Sequence, residues 1–593
     1  MQDSDSESNS IDQKLERDRK SILDAAAAGV GPKLRVYARL SGPGWLQSAI
    51  TLGGGSLAGG LFLGHMAGYA AMWVQPLAML MGIIMLAAIG YVTLSTGERP
   101  FQAINRNINP VLGWAWIVAT MLANMVWSMP QFGLGTAALQ ENLGVPHTTE
   151  WLYGVTALMA VLAGVVVWFY NTGSKGIQIF EIIIKAMVAL IVLSFLGVVG
   201  ALAMAGDLPW GKIFSGLVPN FSLLFSPAGT LMETIEAVPG IGQQFWTEYV
   251  VNGQRDRMIT VAATAVGINM TFLLPYSMLA RKWDKDFRGI AIFDLVTALF
   301  IPFILVTACI VMAAAHQLHN QPAPGLLGET DDAGEIVVAD SGVVNRFERL
   351  LEQRVLWELR EGDPDLYDRI GSDPNRLEVE IAERREALSD EDIRIAAIVI
   401  DRDAWDLARA LDPLTGSIIA QYVFGAGVFG VAISTLVILM VINGFVFAEM
   451  FGKPGSLFYN RLGALVVLVV GGIGSLTLWQ DEARYFLVIP TSVFGMMLAP
   501  IAYLAFFAMM NNSKLLGRHM PTGIRRIGWN ILMSFAVVFA LVAASLALWS
   551  QNRVFPGTNL EARYFGLALI VLLVALGIFL HFKRRDADDE RSE

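Results

Sequence analysis

The sequence predicts an all-α polytopic membrane protein of about twelve transmembrane helices that carries one small helical module outside the bilayer. Three observations predict it. The 593-residue chain is 54% hydrophobic and only 16% charged, whereas soluble domains are about a quarter charged. About a dozen apolar stretches, each close to the roughly 20 residues that cross a bilayer, alternate with short polar loops. The net charge of -10 is also concentrated: residues 316 to 415 hold 24 acidic and 11 basic residues and no Lys, while the rest of the chain balances at +3. A membrane core interrupted by one acidic extramembrane insert is the simplest reading of that asymmetry. A single cysteine, Cys309, excludes disulfide frameworks and clustered thiolate metal or iron-sulfur centres.

In order along the chain, a polar tail (1–40) has no apolar core or cleavage site of a secretory signal, so the first span is expected to do the targeting. Spans follow near 43–67, 69–96, 111–138, 151–170, 175–206, 259–281 and 289–315, then the insert (316–415), then spans near 418–449, 459–478, 484–510, 525–549 and 564–583. Residues 41–315 and 416–583 thus form the membrane core. Lys and Arg collect in alternate loops, among them Arg35, Arg39, Arg99, Arg106, Lys175, Arg281 to Arg288, Lys453 and Lys514 to Arg526. By the positive-inside rule both termini are cytoplasmic, in a cell (inner) membrane, with the insert outside. Lys212, Arg255 and Arg257 run against the count. The insert reads as helices in 344–362 and 373–411 after a loose linker. The first 30 residues and the 584–593 tail read as disordered.

Two spans carry breaks that an anchor would not need. In "LQSAITLGGGSLAGGLFLGHM", Gly53, Gly54 and Gly55 end one half-helix at mid-depth and Ser56 can cap the next. In "VGINMTFLLPYSMLARKW", Pro275 disfavours helix at Leu274 and frees the carbonyl of Thr271, next to Tyr276. Broken helices survive in a membrane only where protein or water satisfies the backbone. Breaks five spans apart suggest two inverted repeats, spans 1–5 and 6–10, with a substrate at midplane. Glycine and proline also serve plain helix packing, the competing reading.

"GPGWLQSAITLGGGSLAGGLFLGHMAGYAAMWV" resembles the opening of the Nramp divalent-metal transporters, and the sixth-span motif is similar to the family's Met-Pro-His stretch. The resemblance extends over roughly 35–220, 258–315 and 418–550, leaving 222–257 and 316–415 without a counterpart. It implies a LeuT-like fold with two extra helices, and solute transport by alternating access. The motifs also depart from the family. Its Asp-Pro-Gly-Asn metal motif aligns with Gly53 to Ser56, its Met-Pro-His with Leu274, Pro275 and Tyr276, and its proton-pathway carboxylates on helix 3 with Ser128 and Gln131. A second family His falls near Arg281, which cannot release a proton. The resemblance therefore implies a metal site from which the acid and the thioether are missing.

Such a site suits a magnesium-like ion held by neutral oxygens, with Ser56 and Tyr276 as candidate ligands, better than a transition metal. The alternatives are a small amino acid or organic anion received by the bare amides of the glycine run, and a non-transporting receptor that kept the fold. Pathway or gate candidates are Asn124, Ser128 and Gln131 on one side of span 3, the Glu181–Lys185 pair in span 5, and Asp294 in span 7. Each has a structural reading as helix stitching or an ion pair. No nucleophile-base set or phosphate-binding loop marks an enzyme or ATPase, and no cofactor or nucleic-acid motif appears. The implied partners are a small ion or solute and the lipid bilayer, with no signal for an oligomeric state.

Overall fold

The computed structural model describes residues 2–170, 206–330, 334–371, 373–402, 424–477 and 488–550, with scattered positions within 179–204, 406–422 and 561–575. The described residues form helices and no strand, only an isolated bridge between Thr330 and Ile336. Among the described residues nine helices are long and apolar enough to cross a membrane, and a tenth span is a bent pair. The ten match ten of the predicted spans within a few residues, with one exception at span 6. The other two, 175–206 and 564–583, fall largely outside the described residues, as do the 584–593 tail, Glu181 and Lys185.

The tail forms two helices, α1 (Gln2–Ala28), where the first 30 residues were expected to be disordered, and α2 (Val30–Leu40). Ile22 and Ala25 are buried, and Arg19 pairs with Asp284 at 2.6 Å and Asp286 at 3.3 Å, so the tail is seated on the loop after span 6. Span 1 is α3 (Pro43–Thr51) plus α4 (Gly54–Ala67), bent by 48°. Next come α5 (Val74–Thr96), the short α6 (Pro100–Asn107), α7 (Pro110–Ala137) and α8 (Thr149–Tyr170).

Span 6 begins earlier than its hydropathy indicates. After α9 (Gly229–Glu236), α10 runs Gly242–Ala265 and α11 runs Ile268–Ala280. The stretch 242–258 escaped the apolar count because it is polar: Gln243, Gln244, Glu248 and Asn252 are exposed, while Phe245, Trp246, Val250 and Val251 are buried against protein. Arg255 and Arg257, two of the three residues that run against the charge count, are consumed there. Arg255 donates to the Leu224 carbonyl at 2.8 Å, and Arg257 binds the Gly253 carbonyl and Asp401.

Span 7 joins α12 (Arg288–Asp294) to α13 (Ile301–Gln317) through one π turn. The insert supplies α14 (Ser341–Gly362), α15 (Pro364–Ile370), α16 (Pro374–Glu386) and α17 (Asp390–Val399). The chain closes with α18 (Phe424–Met450), α19 (Leu457–Thr477), α20 (Val488–Met510) and α21 (Gly523–Trp549).

Glycine spacing explains how α4 is gripped. A Cβ on Gly55 would stand 2.7 Å from Thr264 Cγ2, and one on Gly59 would stand 3.3 Å from Thr260 and Val261, all on α10. A Cβ on Gly64 would stand 2.7 Å from the Val311 carbonyl of α13, and one on Gly60 would meet Ile310. Two small-xxx-small faces, Gly55/Gly59 and Gly60/Gly64, therefore let two helices approach α4 at backbone distance.

Candidate functional site

The span 1 break consists of Leu52 and Gly53. The Leu52 amide closes α3 on the Ser48 carbonyl at 2.7 Å, and Gly53, in extended backbone, caps α4. The N-cap is thus Gly53, not the expected Ser56. Ser56 instead donates its hydroxyl back to the Thr51 carbonyl, tying the two half-helices together and satisfying a carbonyl that the break would orphan. The amides of Ser56 and Leu57 both reach the Gly53 carbonyl, at 3.1 and 3.2 Å.

Glycine is needed here for space. A Cβ on Gly53 would fall on the Thr435 hydroxyl of α18 and 2.7 Å from the Ile50 carbonyl; one on Gly54 would meet Leu134 and, at 2.7 Å, Gln131 Oε1 of α7. With Gly55 against α10, three helices converge on three glycines.

The span 6 break is not at Leu274 to Tyr276. It lies at Val266 and Gly267, both extended, and Pro275 sits inside α11. Proline removed one backbone donor, and the buried helix tolerated the loss. The correction changes which residues meet. Met270, one turn past the true break, receives the Thr51 hydroxyl on its sulfur at 3.1 Å, and its carbonyl accepts from Gln47 Nε2 at 3.5 Å. A thioether does therefore stand at the span 1 break. The Thr271 hydroxyl donates to the Ile268 carbonyl and accepts from Trp116 Nε1 at 3.0 Å, while its carbonyl faces Pro275, four residues on, which has no amide hydrogen to give it. Leu274 is apolar and buried. Tyr276 lies nine residues beyond Gly267, about 13 Å along the helix, so it and Ser56 do not share one site.

On α7 the three candidates separate. Gln131 holds the Trp127 carbonyl with its amide nitrogen at 3.2 Å and leaves Oε1 without a partner toward Gly54. Asn124 is fully buried with neither amide atom hydrogen-bonded. Ser128 turns to α19, bonding the Met125 carbonyl at 2.6 Å and reaching the Val467 carbonyl at 3.3 Å. Asp294 is a helix cap: its carboxylate accepts from Ser41 and from the amides of Gly42 (3.2 Å) and Gly44 (2.6 Å), fixing the start of α3.

Sequence reasoning missed Gln47, Met270, Thr435 and Glu449. Gln47 Oε1, Thr260 Oγ1 and Ser492 Oγ are further buried oxygens without partners. Among the described residues no three His, Cys, Asp or Glu side chains group as a metal site.

A helical membrane protein whose first and sixth spans break where they face each other is the architecture of a substrate-holding bundle. Residues 44–337 and 395–550 match the profile of the natural resistance-associated macrophage protein-like family, and the chain belongs to the Nramp family. The match runs through 222–257, which the sequence reading had left without a counterpart, and omits only 338–394 of the insert. A 172-residue stretch is 28% identical to "Metal transporter Nramp2" of Arabidopsis thaliana, covering 28% of this chain and 30% of that protein's length. Crystal structures of an Eremococcus coleocola manganese transporter align over 93% of this chain at 15% identity. A point mutant gives a TM-score of 0.59 with 96% of its chain covered, and a complex with an aromatic bis-isothiourea compound gives 0.58 with 95% covered. The fold is accordingly LeuT-like.

Proposed function

We propose that this protein is a secondary transporter that carries a divalent cation, magnesium-like more than transition-metal-like, by alternating access about the breaks at Leu52–Gly53 and Val266–Gly267. The observation that carries the reading is the contact between the two breaks, Thr51 Oγ1 on Met270 Sδ at 3.1 Å, in a centre whose polar groups are neutral. Gln131 Oε1, Gln47 Oε1 and the carbonyls at the glycine run can meet an ion through its water shell, which magnesium keeps more readily than manganese or iron. Such a centre binds weakly, because no carboxylate offsets the ion's desolvation.

Met270 favours a second reading, in which its sulfur leaves Thr51 and joins a softer ion such as manganese. The anionic alternative stands as an outcome of the test, since the amides that serve the Gly53 carbonyl are those of Ser56 and Leu57 and not those of the glycines. Ser128 and Gln131, where the resemblance places the family's carboxylates, offer no proton acceptor, so uptake is uncoupled from protons. The termini face the cytoplasm of the inner membrane and the insert lies outside.

The test is uptake into proteoliposomes with magnesium, manganese and a small amino-acid panel, with luminal pH followed in parallel. Magnesium entry without stoichiometric proton movement is expected. Entry of an amino acid alone, or of no solute, would replace this reading by the organic-solute or receptor alternative.

A further inference from the structure

One carboxylate inside the bundle is not used by the central site. Glu449 stands one residue from the end of α18 with its side chain 1% exposed. A charge at that depth costs several kcal/mol unless compensated. Among the described residues neither carboxylate oxygen makes a close hydrogen bond, although the Gln102 side chain and the Tyr276 hydroxyl stand near enough to act on it. The Tyr276 hydroxyl of α11 faces it, buried and equally without a close partner. The cation beside it is Arg99, the residue before α6, whose Nε lies 4.0 Å from Oε2 while the side chain is 41% exposed. This is a loose pair between one dry partner and one wet one.

The position continues from the two breaks. Thr435, against Gly53, precedes Glu449 by fourteen residues on the same helix, about 21 Å. Tyr276 lies about 13 Å past Gly267 by the same rise. The seam between α11 and α18 therefore starts at the breaks and ends at Glu449. Phe272, Tyr276 and Phe445 fill it, with Tyr276 stacked on Phe272 at 4.2 Å and facing Phe445 at 6.4 Å. An ion in the neutral centre keeps its full charge, and Glu449 is the carboxylate this seam offers it.

We propose that Glu449 and Tyr276 form a second cation site at the Arg99 end of the bundle, taking a hard divalent ion, with Arg99 as the tethered cation that occupies the carboxylate between ions. Its place in a route rests on the transport reading; its capacity to bind does not. A purely structural Arg99–Glu449 pair makes the opposite prediction: removing Arg99 would strand a buried charge that added ions do not relieve.

The probe is Mn²⁺ itself, counted by electron paramagnetic resonance of the free ion with the full chain in detergent, alongside thermal unfolding in Mg²⁺. Arg99→Gln is expected to bind one Mn²⁺ about tenfold more tightly than the parent and to regain its unfolding temperature when Mg²⁺ is added. Arg99→Gln with Glu449→Gln should lose both effects, and Tyr276→Phe should weaken the binding. An Arg99→Gln protein with the parent's affinity and stoichiometry, or a double variant that keeps the tighter ion, overturns the proposal. Should Arg99→Gln not fold, Glu449→Gln alone decides, since it removes a buried charge: loss of one Mn²⁺ supports the site, and an unchanged count overturns it. A parent that takes up no divalent ion, combined with Glu449-dependent binding, would remove the transport reading and leave this site standing.

Discussion

At the scale of single residues, the centre is defined by polar atoms left without partners. Gln131 is the sharpest case: one end of its amide is held by Trp127, and the other points bare at Gly54. Gln131→Glu keeps the shape and adds a hard charged ligand beside the break. Calorimetry should record about tenfold tighter binding of Mg²⁺ or Mn²⁺, which corresponds to about 1.4 kcal/mol, and unchanged or weaker binding would place the cation elsewhere. Gly53→Asp, which the aligned motif suggests, is the poorer variant because its Cβ would press on the Ile50 carbonyl. His319 gives a prediction outside the membrane. Burial holds its imidazole below the ordinary range, and Lys212 acts the same way against the His65 carbonyl. The unfolded chain therefore binds a proton that the folded one refuses, so the stability from this group is complete above about pH 6.5 and falls as pH drops toward the folded value. His319→Gln should flatten the fall in unfolding temperature between pH 7 and 5; an unaltered slope would assign it to other groups. Little of this was legible in sequence. Glu449 is a lone acid at the end of an apolar run, which reads as a loop end, and Met270 is one of 25 methionines until the fold puts it against Thr51.

At the scale of elements, span boundaries were legible because a bilayer imposes length and apolarity together. The span 1 break was legible too, since three adjacent glycines are costly in a helix that does not need them. Span 6 shows where the reasoning stops. Proline looked like the break, yet the helix ran through it, and the real break fell at a single Gly267 beside a β-branched Val266. Periodicity carries no sign of which glycine is bent. The glycine faces of α4 make the packing testable. Gly64→Leu would drive a side chain into the Val311 carbonyl and Ala314, backbone and short side chain that cannot swing away. A loss of about 1–3 kcal/mol is expected from such overpacking, read as a lower unfolding temperature. Gly97→Leu is the poor control because its φ is +68°, whereas Gly164→Leu meets open space and should change little.

At the scale of the whole molecule, the acidic insert is where the chain departs from its family: the profile omits 338–394, and the structure packs α14 of that segment against α9 and α10, while the matched 395–400 stretch reaches the end of span 1. Leu350, Leu351, Ile395 and Val399 of the insert share one core with Leu231, Ile235, Phe245 and Trp246. Within it Asp392 accepts from Trp246 Nε1 at 2.7 Å and from Arg354 Nε at 3.0 Å, with both charged side chains at most 4% exposed. His65, at the end of span 1, bonds the Ile398 carbonyl at 2.9 Å, and the Ala323 amide bonds the Ala397 carbonyl at 2.9 Å. The net charge located this module in sequence but not its attachment, because the apolar faces that hold it are divided between α9, α10, α14 and α17. Asp392→Ala leaves Arg354 its pair with Glu358 at 2.6 Å but strips the buried Trp246 Nε1 and Arg354 Nε of their acceptor, and should cost about 1–3 kcal/mol, read as a lower unfolding temperature. Deleting 338–394 should do worse than subtract a domain. Phe245, Trp246, Leu231 and Ile235 would lose Leu350 and Leu351 as cover outside the lipid, where detergent does not replace it, and an apolar patch so opened drives association. Size-exclusion chromatography of the deletion should show aggregate, and a monodisperse, fully stable deletion protein would mean that α10 holds its position without the insert.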